Sequence, residues 1–511
     1  MYLTQGLHRS VQQNPDGIAV IGESGDVTFR QLEGRVARIG GGLRGLGVRS
    51  GDRIGMLATN CAQYVEFTFA CPWIGAVASP VNNRWSLDEM VFQIEDAGIS
   101  VLFVDAPRLA QALELRDRCP LLETVICFDG TAPTSGVVDY ERLIDSSEPV
   151  SDVRADPDSL AVLMYTGGTT GRPKGVMLSA RQILTSAFGA LASVGFPNAA
   201  ERCLHIAPLF HLAAFAGMIQ QSMLGATHVV IGEFTVEGLV ETIAAKQITM
   251  TTLVPTMVPW MLDYAERTGA SLGSLRYIGY GAAPMPEAVL TRLLAALPHV
   301  KLRQGYGMTE LGPVATILRD EDHHDRDHPE RLRSVGRAAA HAEVVVVNKA
   351  GVEQPRGKVG EVVVRGAHVM IGYWNNLGET QKALQDGWMH TGDMGYMDEH
   401  GYLFLVDRLK DMIVSGGENV YSAEVEAVIH RHEAIASCAV IGVPDEVWGE
   451  RVHAVVVLVP GASVTPEELR DYVGERIARY KAPRTVEFID QMPLSPVGKI
   501  LKRTLREAYT S

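Results

Sequence analysis

Leu160-Ala161-Val162-Leu163-Met164-Tyr165-Thr166-Gly167-Gly168-Thr169-Thr170-Gly171-Arg172-Pro173-Lys174-Gly175-Val176 passes from an apolar, strand-like run straight into a loop of glycines, threonines and one lysine. Glycines let backbone amides approach an anion closely, and the hydroxyls of Thr166, Thr169 and Thr170 with the Lys174 ammonium add donors. The loop is suited to a polyphosphate. It is not a Walker A loop: the G-x-x-x-x-G-K-[ST] spacing fails, because Arg172 stands where counting from Gly167 requires glycine.

Outward from that loop, short β-branched runs alternate with longer amphipathic stretches. Strand patterns fall at 18–21, 53–57, 101–104 and 124–128, with helical patterns at 29–46 and 64–74. The same rhythm returns at 161–165, 228–231, 250–253 and 276–280. This alternation predicts a large N-terminal α/β domain with largely parallel sheets. After Ser334 the pattern changes to closely spaced short strands at 343–347, 360–364, 401–406 and 411–414, a β-rich subdomain. From Lys410 a small α+β unit is expected, with helices at 423–430 and 466–479 and strands at 436–442, 452–459 and 485–488. The domains are therefore expected at 1–409 and 410–511, the second being small and mobile. Gly40-x-Gly42-x-x-Gly45 mimics a dinucleotide fingerprint, but its glycines end a helical pattern and precede a strand, the reverse of the required order.

The 511 residues exceed a single core, and 46% hydrophobic with 21% charged residues is an ordinary globular balance. A formal charge of −14 argues against a nucleic-acid-binding protein. The basic run Arg476, Arg479, Lys481, Arg484, Lys499, Lys502, Arg503, Arg506 reads either as a docking surface for polyanions or as a solvated helix face. Cys61, Cys71, Cys119, Cys127, Cys203 and Cys438 form no C-x-x-C pair and read as buried thiols of a reducing compartment. No signal-peptide pattern and no long apolar run is present, so a cytoplasmic protein without a transmembrane segment is expected.

The loop at 165–175 resembles the signature of the adenylate-forming (AMP-binding) superfamily, Tyr-Thr-Ser-Gly-Thr-Thr-Gly-x-Pro-Lys-Gly, and its acyl-CoA synthetase and 4-coumarate–CoA ligase-like branch. Gly167 replaces the usual serine, which removes one hydroxyl but leaves the backbone cradle. Gln304-Gly305-Tyr306-Gly307-Met308-Thr309-Glu310 resembles the family's second nucleotide segment. Tyr306, beside Gly307, suits stacking on adenine, and Glu310 suits Mg²⁺, a hard cation that prefers oxygen. The resemblance implies that Thr309 contacts the α-phosphate, that Thr170 joins Glu310 at the metal, and that Gly281 and Ala282 flank the nucleotide. It further implies that Asp393 of His390-Thr391-Gly392-Asp393 accepts both ribose hydroxyls. In Asp407-Arg408-Leu409-Lys410-Asp411, Arg408 would reach ribose or phosphate and Lys410 would be the hinge. Lys499, in Pro493-Leu494-Ser495-Pro496-Val497-Gly498-Lys499-Ile500, would be the catalytic lysine of adenylation.

By the same resemblance Ser415, Gly416 and Gly417 would line a coenzyme A channel, and Phe210, His211, Tyr280, Gly281, Gly305 and Met308 an acyl pocket. The segment 210–217 holds no aspartate to receive an α-amino group, which disfavours amino-acid substrates. The implied reaction uses ATP, Mg²⁺ and coenzyme A to convert an aromatic or medium- to long-chain carboxylic acid to its acyl-CoA through an acyl-adenylate. A free-standing adenylation enzyme loading a carrier protein is the alternative; a luciferase-type oxygenase and a nucleotide sensor are more distant ones. Oligomeric state, a homodimer included, is left open. Two histidine clusters, His323-His324-Asp325-Arg326-Asp327-His328 and His430-Arg431-His432-Glu433, read as an exposed charged loop and a helix end rather than metal sites.

Overall fold

The computed structural model describes every residue except 23–24, 129–135, 168–172, 196–200, 284, 409–410, 416–417, 446, 495–499 and 510–511. The chain packs as two compact units, residues 1–344 with 364–389, and residues 345–363 with 390–511.

The first unit is built on two large sheets. In one, strands Thr227–Val230, Arg202–His205, Met250–Leu253, Tyr277–Gly281 and Lys301–Tyr306 lie side by side and parallel. Helices such as Val236–Lys246 and Glu287–Ala296 cover them, burying Leu239, Val240, Ile243, Ile278 and Leu293 completely. In the other, Val77–Pro80, Arg53–Leu57, Ile99–Val104 and Thr124–Cys127 are parallel, over a core that includes Leu57, Val77, Ile94, Leu102 and Val125. Leu160–Thr166 joins Val77–Pro80 in parallel and turns back as Lys174–Ser179, beside which the two-residue strand Gly372–Tyr373 forms the edge. The connecting helices start where the sequence caps them: Thr28 with Gln31 and Ser86 with Glu89 form reciprocal capping boxes. Gly40, Gly42 and Gly45 all lie in helix Phe29–Gly45, ahead of strand Arg53–Leu57. A Cβ on Gly41 would come within 2.0 Å of the Glu148 carbonyl oxygen and one on Gly42 within 2.7 Å of the Leu143 side chain, so these two glycines serve close packing.

The second unit contains a long antiparallel pair, Ile435–Asp445 with Gly449–Leu458, to which Thr485–Phe488 adds in parallel and Ile413–Ser415 antiparallel. Helices Ser422–Ile429 and Pro466–Gly474 close over Ile413, Val420, Val425, Val440 and Val452. The helix expected over 466–479 thus stops at Gly474; Arg476 folds back onto the Tyr472 carbonyl at 2.8 Å, and a separate 3-10 turn covers Arg479–Lys481. Leu403–Arg408 pairs antiparallel with the strand Trp388–Met397. The architecture is the expected α/β class with parallel sheets, a β-rich portion and an α+β portion. Five of the cysteines are buried and Cys61 is half-buried. Among the described residues no helix is long and apolar enough to cross a membrane.

Candidate active site

In open α/β sheets the loops beyond the carboxyl ends of parallel strands form the binding edge. Here Arg202–His205, Tyr277–Gly281 and Lys301–Tyr306 share such an edge. The first leads to Phe210 and His211, whose rings stand 4.5 Å apart. The second ends in Tyr280 and Gly281, followed by Ala282 in a left-handed conformation at φ +66°, a strain of the kind that clusters at functional sites. The third ends in Gly305 and Tyr306, followed by Gly307, Met308 and the 3-10 turn Thr309–Leu311. Gly281 and Gly305 are register partners, and a Cβ on Gly281 would come within 2.5 Å of the Gly305 carbonyl oxygen. Two strands meet here with no side chain between them, leaving a flat wall.

Tyr280 is buried, with its hydroxyl 2.8 Å from His323 Nε2. The other ring nitrogen, Nδ1, lies 2.6 Å from the Arg319 carbonyl and must donate to it, so Nε2 accepts from Tyr280. Burial lowers the His323 pKa, which favours this neutral tautomer. The exposed loop expected at 323–328 is corrected for His323: it closes the short helix Asp320–His323 and points inward, because Tyr280 offers a buried partner.

The loop of glycines and threonines joins Thr166 to Lys174, which are register partners at the end of a hairpin. Gly167 is exposed; Gly168, Thr169 and Thr170 lie outside the described residues. Lys174 pairs with Glu379, and its Nζ stands 5.2 Å from the centre of the Tyr373 ring. The hydroxyl of Tyr373 donates to Glu310 Oε1 at 2.7 Å, and the Glu310 carbonyl accepts the Met370 N–H at 2.9 Å. Burial and the neighbouring Glu310 carboxylate push the Tyr373 phenol up, so it remains an O–H donor. Hydrogen bonds from Lys174 and then Lys382 hold Glu379 down to about 2, fully ionised at neutral pH. The first unit therefore brings Lys174, Tyr306, Thr309 and Glu310 into one region from two different sheets.

Tyr373 and Glu379 are not legible as site residues from sequence. Glu379 is 205 positions from Lys174, and the aromatic pair Tyr373-Trp374 looks like core. The same holds for Asp96, which accepts from the Tyr165 hydroxyl just ahead of the loop.

Asp393, Arg408 and Ser415 belong to the second unit. Asp393 is buried in strand Trp388–Met397, opposite Arg408 in register, and its N–H donates to Thr391 Oγ1 at 3.1 Å. Thr391 in turn donates to the Val362 carbonyl at 2.7 Å, and the Gly392 N–H to Glu361 at 3.1 Å, so both residues just before Asp393 are tied down. Ser415 is buried at the end of strand Ile413–Ser415. Lys410, Gly416, Gly417 and Lys499 lie outside the described residues. The base of the Lys499 loop is described: Leu494 bridges Ile500, and the Leu501 N–H donates to the Pro493 carbonyl at 2.8 Å.

The pattern of the AMP-binding enzymes matches residues 7–374, and that of the AMP-binding enzyme C-terminal domain matches residues 424–499. Feruloyl-CoA synthase of an Amycolatopsis species is 37% identical over 504 residues, 98% of each chain. A long-chain-fatty-acid–CoA ligase of Mycobacterium tuberculosis is 34% identical over 507 residues, 99% of this chain and 98% of that one. The solved structure of o-succinylbenzoate CoA synthetase from Bacillus subtilis with its acyl-adenylate superposes at a TM-score of 0.86 and 31% identity, covering 98% of this chain and 97% of that one. From the glycine-rich hairpin to the C-terminal lysine loop, the chain belongs to the AMP-binding enzyme family, the adenylate-forming superfamily.

Proposed function

We propose that the edge formed by Gly281, Gly305, Tyr306, Thr309 and Glu310 holds an acyl-adenylate and that Lys499 drives its formation. The chain is an ATP-dependent carboxylate–CoA ligase of the AMP-forming class. It activates a carboxylic acid with release of pyrophosphate, then passes the acyl group to coenzyme A with release of AMP. The observation that carries the residue assignments is the meeting of the phosphate hairpin and the Glu310 turn at Tyr373.

A carboxylate is a poor acyl donor because oxide leaves badly; AMP leaves well. In the first step one carboxylate oxygen attacks the α-phosphorus and charge builds on the phosphate oxygens, where the ammonium of Lys499 and the donor groups of Thr309 and Lys174 stabilise it. Glu310 is a buried carboxylate linked through Tyr373 to Lys174, which fits Mg²⁺ shared with substrate phosphates; Glu310 and Thr170 would hold it. When bound, the metal neutralises phosphate charge. Tyr306 stacks on adenine, Asp393 and Arg408 take the ribose, and His211 with Phe210 faces the acyl carboxylate. For the second step the small domain turns about Lys410, removing Lys499 and presenting Ser415, Gly416 and Gly417 to the thiol arm.

The acid is aromatic in our first reading, because glycines at 281 and 305 leave a flat wall suited to a ring. The feruloyl-CoA synthase relative supports this. A medium- to long-chain fatty acid is the second reading, supported by the fatty-acid ligase relative. A panel of carboxylic acids assayed for CoA-dependent AMP release distinguishes them. Transfer only to a phosphopantetheinylated carrier would replace coenzyme A as acceptor, and absence of pyrophosphate exchange with every acid would overturn the reading. Lys499→Ala should abolish adenylate formation yet leave thioesterification of supplied acyl-AMP largely intact. Equal loss of both half-reactions would remove Lys499 from this role.

A further inference from the structure

Between the edge strand Gly372–Tyr373 and the helix Leu377–Ala383 runs a short arm that touches both nucleotide segments of the first unit. It is firmly built. The Tyr373 N–H donates to Thr380 Oγ1 at 2.9 Å, and the Thr380 hydroxyl donates to the Asn376 carbonyl at 2.8 Å. Asn376 caps the helix through the Glu379 N–H at 3.1 Å, and the Trp374 N–H binds the Gly175 carbonyl at 2.7 Å. The arm is thus anchored to the strand that begins with Lys174, and it delivers one hydroxyl to Glu310.

We propose that Tyr373 is a positioning residue for adenylation: its hydroxyl fixes the Glu310 carboxylate for the metal-bound triphosphate, while its ring seats the Lys174 ammonium. The proposal rests on the roles of Glu310 and Lys174 given above. A buried carboxylate is costly unless its charge is met. A phenol is neutral, so it orients that charge without cancelling it and preserves it for a cation. The ring face likewise attracts the Lys174 ammonium weakly, beside its Glu379 partner, and orients it at the end of the loop without adding a second counter-charge. Tyrosine alone among side chains offers an acidic O–H on a flat cation-binding face, which is what serving both segments at once requires.

Tyr373→Phe removes the hydroxyl and keeps the ring. It should raise the Mg²⁺ concentration needed for half-maximal pyrophosphate exchange by about tenfold, the size of one lost hydrogen bond to a charged group. Calorimetry should show a similar loss in affinity for ATP with Mg²⁺ and a smaller one for ATP in EDTA, while thioesterification of supplied acyl-AMP is unchanged. Thr380→Val, which only frees the Tyr373 backbone, should shift the Mg²⁺ requirement the same way by less. Should Tyr373→Phe not fold, the Thr380→Val shift alone decides. An unchanged Mg²⁺ requirement in the folded variants, or parallel loss of both half-reactions, overturns the proposal. The wild type's own pyrophosphate exchange keeps that outcome separate from a failure of the ligase reading.

Discussion

Gly281 and Gly305 look interchangeable in sequence, yet they differ in the room around them. At Gly281 an added methyl would meet the Gly305 carbonyl at 2.5 Å, and a strand backbone cannot step aside as a flexible side chain can. At Gly305 the nearest atom to an added methyl is a Val314 side-chain carbon, 4.0 Å away. Gly281→Ala should therefore cost about 1–3 kcal/mol and lower the melting midpoint along with adenylation. Gly305→Ala should keep the midpoint and shift preference towards smaller acids; equal midpoints for the two variants would contradict the geometry. Single residues also mark the limits of reading sequence. Tyr306, Glu310 and Lys174 stand in compact motifs whose chemistry is local. His323 stands among charges and reads as exposed, because nothing nearby in the chain discloses Tyr280 as its partner.

Among the elements, helix Ser422–Ile429 owes its start to a distant residue. Tyr421 at its N-cap does not cap the helix with its side chain; the Asp407 carboxylate takes the Ser422 N–H and, at 3.1 Å, its hydroxyl. A carboxylate at this end also meets the positive pole of the helix dipole. Lys502, at the start of helix Lys502–Glu507, joins the same group through Ser422 at 2.6 Å and Glu426 at 2.7 Å. Asp407→Ala should lower stability by about 1 kcal/mol and speed amide exchange over 422–425. Unchanged exchange there would show that Ser422 finds another partner. Periodicity placed this helix within a residue at each end, since its apolar face is regular. It overran the helix at 466–474 because charges continue at helical spacing through Arg476 and Arg479, although the backbone bond from the Ile477 N–H to the Val473 carbonyl closes the helical turn just beyond it.

At the level of the whole molecule, buried imidazoles govern the response to acid. Burial lowers His205 to about 4, His228 well below 6.5 and His368 to about 3. Well above pH 6.5 all are neutral, folded or unfolded, and cost nothing. As pH falls through 6.5 the unfolded chain takes up protons that the fold refuses, so stability declines down to the folded values, by about 1.4 kcal/mol per unit of depression. His8 acts oppositely: its bond to Asp152 raises its pKa, so its contribution is full below 6.5 and fades as pH climbs through the raised value. The urea midpoint should therefore fall between pH 7.5 and pH 5, and His228→Gln should flatten that fall; a midpoint rising on acidification would contradict the burial. At this scale the two parallel sheets were legible from alternating patterns, whereas strand order and the joining of two distant motifs were not, because both depend on contacts between segments remote in sequence, up to 205 positions apart for Lys174 and Glu379. The strand that makes that junction, Gly372–Tyr373, is only two residues long and, among the described residues, has a strand neighbour on one side alone. Sheet margins loosen before interiors do. Mild heat or denaturant would thus silence the enzyme by unfastening its grip on ATP while both cores are still intact, and recovery on cooling would need no refolding at all.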